Sequence, residues 1–232
     1  SQDRFYECIG HIYESGKLTV IKDDPIRYLE RSKATYDAVL VLVPTPSTTL
    51  LNRYYTTGFF ELAKEHLDEG GILSVGLSTT GNYMDDASLM SHSILNETLR
   101  RYFENVMIVP AGQNYFLASD RELSYQIIQN IEEGEIHTTH FNSGYFNDLM
   151  LQFRGEQIAE QLHQEAPINR NFKPTNYRYE LQHQLNLLNV SPVPFIILLS
   201  AILLLALLFL PSTKLGLFSG GLTMASMQIL IM

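Results

Sequence analysis

The chain has 232 residues, 45% of them hydrophobic, and a formal net charge of −9 from 16 basic and 25 acidic side chains. This charge argues against a surface that binds nucleic acid or anionic lipid, because both kinds of surface need clustered lysine and arginine. A single cysteine excludes an internal disulfide framework and a metal site built from several cysteines. The seven histidines show no metal-ligand spacing. We therefore expect neither nucleic acid nor a metal.

Short apolar runs alternate with amphipathic stretches over the first 130 or so residues, which is typical of a sheet covered by helices. Residues 18–21 predict a first strand, and Pro25 suits the first turn of a helix over 26–31. Residues 37–43 are continuously apolar after Asp37, which predicts a strand with both faces covered.

The following elements complete the predicted sheet domain. They are a helix over 55–67 stopped by Gly70 and Gly71, a strand over 72–77, a helix over 86–103, and strands over 106–109 and 115–118. The last two strands predict an antiparallel hairpin. We therefore expect a doubly wound α/β sheet that ends in this hairpin.

A polar joint near residue 132 separates this domain, residues 1–131, from a helical connector over 132–190. The connector is predicted to hold a helix over 145–163, and it either docks on the sheet domain or stands apart. The side chains predicted to lie roughly on one side of that helix are Phe146, Leu149, Met150, Phe153 and Ile158.

Two uncharged stretches follow, over residues 192–210 and 215–232. At about 1.5 Å per helical residue, the first approaches the thickness of the hydrocarbon core of a bilayer. A buried core helix is the alternative, but such helices keep a polar stripe. We interpret residues 191–232 as two transmembrane helices, the second truncated, of a multi-pass membrane protein. The partner expected here is membrane lipid.

Six short motifs are informative because of the order in which they occur along the chain. They are DPIRYL at 24–29, YDAV at 36–39, LNRYYTTGFF at 51–60, LDEGGIL at 67–73, GQNYFLAS at 112–119 and NRNFKP at 169–174. In this order they resemble the spermidine synthase family, in the bacterial branch that is fused to membrane helices. The resemblance implies a Rossmann-like, class I methyltransferase-type fold and aminopropyl transfer from decarboxylated S-adenosylmethionine to putrescine.

The resemblance assigns the nucleotide side of the site to Asp23, Asp24 and Pro44, with the Asp24 carboxylate accepting from the adenine amino group. An alternative is that Asp24 caps the helix that begins at Pro25. The glycine-rich loop of the family is expected to precede Ser1, so we interpret the chain as a fragment with an incomplete pocket. The resemblance also implies a cytoplasmic sheet domain, a small amine as partner and a candidate homodimer.

The catalytic stretch departs from the family pattern Asp-x-x-Asp-Pro, because it has Leu42 and Thr45 where the two carboxylates belong. An amine nucleophile must lose its proton, and a free alkylamine has a pKa of about 10, like lysine. Leucine cannot accept that proton and threonine is a poor base. Thr45 and Tyr55 are the catalytic candidates that remain, with Leu42 at the position of the missing base.

Asp85 and Asp86 offer a second source of carboxylate, because they follow the strand over 72–77. The alternative is that both stabilise the start of the helix over 86–103 through its dipole. Three functions stay open: a membrane-anchored transferase of doubtful polyamine synthase activity, a non-catalytic nucleotide-sensing or regulatory module, and an S-adenosylmethionine-dependent methyltransferase.

Overall fold

The computed structural model describes residues 18–78, 84–138, 142–187 and 193–209. The helices are α1 (Pro25–Arg31), α2 (Thr49–Asn52), α3 (Thr57–Glu65), α4 (Asp86–Arg100), α5 (Ile127–Glu133), α6 (Asp148–Gln161), α7 (Thr175–Leu187) and α8 (Val193–Phe209). A 3₁₀ turn, Arg53–Tyr55, joins α2 to α3. The strands are β1 (Tyr36–Val41), β2 (Leu67–Leu77), β3 (Asn105–Pro110) and β4 (Asn114–Ser119).

The chain divides into two compact units, residues 1–33 and residues 34–232. In the first, α1 begins at Pro25, and the Asp24 side chain accepts a hydrogen bond from the Arg27 amide. The expected strand over 18–21 is wrong, since its backbone is irregular. A strand needs a neighbour to take its backbone hydrogen bonds, and this segment pairs with none of the described strands. The predicted domain bounds at 131 and 190 stay predictions.

In the second unit the four strands form one mixed sheet in the order β1-β2-β4-β3. β1 runs parallel to β2, and β4 is antiparallel to both β2 and β3. The predicted α/β class and the terminal hairpin are therefore confirmed. β1 is an edge strand of this sheet, and Leu40 is exposed, so the expectation that both faces of β1 are covered is wrong.

The two glycines expected to stop the second helix lie inside β2 instead. α3 ends at Glu65, where the amide of His66 donates to the Ala63 oxygen. Gly70 has φ of 74°, a left-handed conformation that glycine adopts without strain. It lies where the register between β1 and β2 is irregular. These glycines therefore accommodate the irregular register of β2, and the helix ends earlier, at its C-cap residue His66.

The connector docks on the sheet domain through α6 and α7. α6 lies against β3 with Leu151 and Gly155 buried. Leu149, Met150 and Phe153, which the sequence predicts on one side of this helix, are exposed, Leu149 at 76%. The approach of Gly155 to the backbone of β3 decides which side faces inward, since that contact leaves no room for a side chain.

Replacing Gly155 by alanine is expected to destabilise the chain by about 2 kcal/mol, because overpacking a tight contact shifts backbone or side chains. A β-carbon there would collide with the Ile108 carbonyl oxygen and the Tyr125 hydroxyl. Gly112→Ala is the matched control, since a β-carbon at Gly112 meets nothing within 4 Å. Urea unfolding compares the two, and equal stabilities would show that α6 does not approach β3 this closely.

α8 is built almost wholly of apolar residues, as the sequence predicts for 192–210. Within the described ranges, no helix is both long and apolar enough to cross a membrane. The second predicted span, over 215–232, lies outside the described residues.

Candidate functional site

The loop after β1 leaves the sheet at the carboxyl edge, where ligands of open α/β sheets bind. Leu42 is 77% exposed on this loop, whereas Thr45 is buried at 8%. Pro44 lies between them and is exposed. A leucine this exposed contributes little to the core. Neither side chain carries a charge.

Tyr55 lies fully buried beneath this loop. Its hydroxyl donates toward the carbonyl oxygens of Gly76 at 3.0 Å and Pro44 at 3.1 Å, so it ties the ends of β1 and β2 together. Burial raises the pKa of this phenol, and the negative charge of Glu180 adds to the effect. The contacts therefore favour a bracing role, while the catalytic assignments of Tyr55 and Thr45 stay predictions.

Asp23 and Asp24 lie in the other compact unit. The Asp23 carboxylate accepts from the amide of Asp24 at 2.8 Å, and Asp24 Oδ1 accepts from the Arg27 amide at 3.2 Å. The cap at the start of α1, one of the two interpretations from sequence, is therefore present. The assignment of these aspartates and Pro44 to a nucleotide stays a prediction.

Asp85 follows β2 on the same edge and caps α4. Its Oδ1 accepts from the Ser88 amide at 2.8 Å and lies 2.7 Å from His183 Nδ1, and its Oδ2 accepts from Asn186 at 2.9 Å. Burial alone would raise the pKa of Asp85, but the hydrogen bonds from Asn186, Ser88 and His183 lower it below the usual value. Both oxygens are thus engaged, which leaves this carboxylate little capacity for a substrate.

Asn169 connects the loop before α3 to the connector. Its side-chain nitrogen donates to Asn52 Oδ1 at 3.0 Å and to the Tyr55 carbonyl at 2.9 Å. Its Oδ1 accepts from the amide of Asn176 at 3.3 Å, and all of these groups are buried. Asn169 therefore fixes the position of Tyr55 relative to α7.

α7 turns a buried polar face toward α4, which sequence reasoning missed. Asn176, Glu180 and His183 are spaced i, i+4, i+7, and each is at most 3% exposed. Such a stripe in a predicted helix is normally assigned to solvent. The signal that could have revealed this buried face is the apolar segment that follows α7 in the chain. A polar stripe on a helix next to such a segment can also mark a buried contact.

Curated relatives match parts of this chain. The polyamine aminopropyltransferase of Leptospira interrogans is 37% identical over 62 residues, which is 27% of this chain and 12% of that protein. The enzyme of the same name from Oceanobacillus iheyensis is 29% identical over 116 residues, 49% of this chain and 22% of that protein. The resemblance to the spermidine synthase family is confirmed.

Similarity to solved structures is partial. A probable spermidine synthase from Corynebacterium glutamicum has a TM-score of 0.41 and 15% identity, covering 66% of this chain and 53% of that one. Human methyltransferase-like protein 13 in complex with SAH has a TM-score of 0.41 and 14% identity, covering 57% and 66%. No family model matches the chain. The chain matches less than a quarter of the length of each of the two polyamine aminopropyltransferases.

Proposed function

We propose that this chain is part of a spermidine synthase-like membrane protein that binds a small polyamine-class amine and transfers an aminopropyl group slowly or not at all. The observation that carries the proposal is the loop after β1. Leu42 is exposed and Thr45 is buried where the family pattern has two aspartates. Without a carboxylate there, the amine keeps its proton at neutral pH and is a poor nucleophile.

S-adenosylmethionine, or its decarboxylated form, is the nucleotide that the family resemblance implies. The described residues do not fit it as a complete site. The Asp24 carboxylate caps α1, and the Asp23 carboxylate accepts from a backbone amide. We therefore derive no chemical step through the nucleotide. Its binding is a property proposed for the whole protein.

Titration calorimetry on the full-length protein tests the proposal, with decarboxylated S-adenosylmethionine, S-adenosylmethionine and putrescine as separate ligands. The expected result is binding of a nucleotide and of putrescine with little spermidine produced. Efficient spermidine production would contradict it. Failure to bind any nucleotide would contradict the transferase-like assignment and favour a module without ligand chemistry.

The double variant Leu42→Asp, Thr45→Asp is expected to gain aminopropyl transfer. A positioned general base contributes roughly 100- to 10,000-fold, so we expect an increase of at least about 100-fold in kcat/KM. Leu42→Asn, Thr45→Asn is the matched control, because it has the same shape without the charge. A folded, nucleotide-binding aspartate variant with no gain over the asparagine variant would show that this loop is not the catalytic position.

The membrane and assembly parts of the proposal rest on the sequence. Residues 192–210 carry no charge, which supports membrane lipid as their surroundings. The family resemblance alone supports a cytoplasmic sheet domain and a second copy of the chain as a candidate partner.

A further inference from the structure

The contact between α4 and α7 is held by two polar hydrogen-bonding positions. Ser91 Oγ donates to Asn176 Oδ1 at 2.6 Å, and His183 Nδ1 lies 2.7 Å from Asp85 Oδ1. The residue numbers rise along α4 as they fall along α7, so the helices run antiparallel. These two pairs define the face that each helix presents to the other.

Ser88 and Glu180 lie between these two pairs. On α4, Ser88 is midway between Asp85 and Ser91 in height, and the 3.6-residue period places it in the middle of their face. On α7, Glu180 shares the face of Asn176 and His183. The helical spacing therefore sets Ser88 and Glu180 across from each other. We call them the Ser88–Glu180 pair.

Both members of this pair are buried, and the Ser88 hydroxyl has no hydrogen-bond partner. Ser88 is 1% exposed and Glu180 is 3% exposed. Among the described residues, Ser88 Oγ and Asn176 Nδ2 are buried without a hydrogen-bond partner, whereas the oxygens of the Glu180 carboxylate are not among such atoms. A buried polar group without a partner is destabilising, because it has lost its hydrogen bonds to water without replacing them. A ligand that donates a hydrogen bond would give the Ser88 hydroxyl its missing partner beside the Glu180 carboxylate, so the pair has the character of a binding site.

The chemistry of the pair suits an ammonium group. An ammonium offers three donors and a positive charge. The Glu180 carboxylate and the Ser88 hydroxyl are acceptors, and the carboxylate also neutralises the charge. A divalent metal fits poorly, because no group of three or more metal-ligating side chains comes together in the part of the chain that the structure describes.

The pair also lies near the proposed site. Asp85 follows β2 at the carboxyl edge, and Glu180 is one helical turn from His183, which contacts Asp85. After burial, the charge of Glu180 is the second cause that raises the pKa of Tyr55. The Tyr55 hydroxyl holds the ends of β1 and β2 together. Glu180 is therefore a carboxylate at the edge where Leu42 and Thr45 supply none.

We propose that Glu180, assisted by the Ser88 hydroxyl, binds a primary ammonium group of a small polyamine between α4 and α7. This deepens the proposed function, on which it rests for the substrate class. It assigns amine recognition to the connector and not to the loop after β1.

Putrescine titration of the full-length protein and its variants tests this proposal. Glu180→Gln is expected to weaken putrescine binding roughly 10- to 100-fold, as expected for the loss of a charge-assisted hydrogen bond. Ser88→Ala is expected to weaken it several-fold, because it removes a neutral acceptor. Glu160→Gln is the matched control, since it removes an exposed carboxylate on α6, and its affinity is expected to stay within about twofold. 1,4-Butanediol, the neutral counterpart of putrescine, is expected not to bind.

A second readout separates binding from a structural role. Glu180→Gln is expected to raise the Tm of the ligand-free protein, because it removes a buried charge without changing the side-chain shape. A lower Tm would show that the carboxylate makes a structural contact and would overturn the proposal. Unchanged putrescine affinity in Glu180→Gln would overturn it too. Either result would overturn only this inference, because neither depends on nucleotide binding by the wild type. Failure of the wild type to bind a nucleotide would contradict the proposed function instead.

Discussion

Replacing Asn169 by alanine is expected to lower the free energy of unfolding by about 3–5 kcal/mol. The substitution leaves three buried groups without their partner: Asn52 Oδ1, the Tyr55 carbonyl and the Asn176 amide. Each unsatisfied buried group costs about 1–3 kcal/mol, and groups that share one network do not add fully. Urea unfolding followed by far-UV circular dichroism measures the loss.

Asn130→Ala is the control for Asn169→Ala. Asn130 is an exposed residue of α5, so the same loss of an amide there is expected to change stability by less than about 0.5 kcal/mol. A loss of 1 kcal/mol or less in Asn169→Ala would show that water replaces the three hydrogen bonds. The segment before α7 would then be only loosely attached to the loop that carries Tyr55.

The elements that sequence predicted best have local causes. Helix capping by the carboxylates of Asp24 and Asp85 depends only on residues close in sequence. The same holds for the hairpin, in which two apolar strands flank a short turn at residues 110–114. They led to α1, α4 and the β3–β4 hairpin with bounds within a few residues. The parallel pairing of β1 with β2 followed from the alternation of strands and helices.

The features that the sequence did not predict depend on contacts between distant segments. Gly155 packs on Ile108, 47 positions earlier, and this contact turns Leu149 and Phe153 outward against their apolar pattern. Asn176, Glu180 and His183 look like a solvated stripe until α7 is seen to lie on α4. Leu42 and Thr45 lie on the loop after β1, as their sequence position indicates, and their assignment to the catalytic position stays a prediction. No pattern within that loop indicates that a carboxylate on α7 is buried.

The stability of the chain is expected to fall by about 3 kcal/mol between pH 7 and pH 4 because of His92 alone. His92 is buried, with Nδ1 2.8 Å from the Ser88 carbonyl and Nε2 3.1 Å from Asn114 Nδ2. These contacts fit a neutral ring that donates through Nδ1 and accepts through Nε2. Burial lowers the pKa of His92 from 6.5 to about 4, with the charge of His183 acting in the same direction and the hydrogen bond to Ser88 opposing it.

Between those two values the unfolded chain binds a proton that the folded chain does not. The free energy of unfolding therefore decreases as pH falls through this window, by about 1.4 kcal/mol per pH unit. Urea unfolding at several pH values should show this decrease in the wild type. His92→Asn is the control, because its amide can keep the bond to Ser88 but does not titrate, so its decrease is expected to be about 3 kcal/mol smaller. Asp85, whose pKa is also lowered, contributes equally to both proteins. Parallel pH profiles for wild type and variant would mean that His92 takes up a proton in the folded state as readily as in the unfolded one, which its burial between Ser88 and Asn114 should prevent.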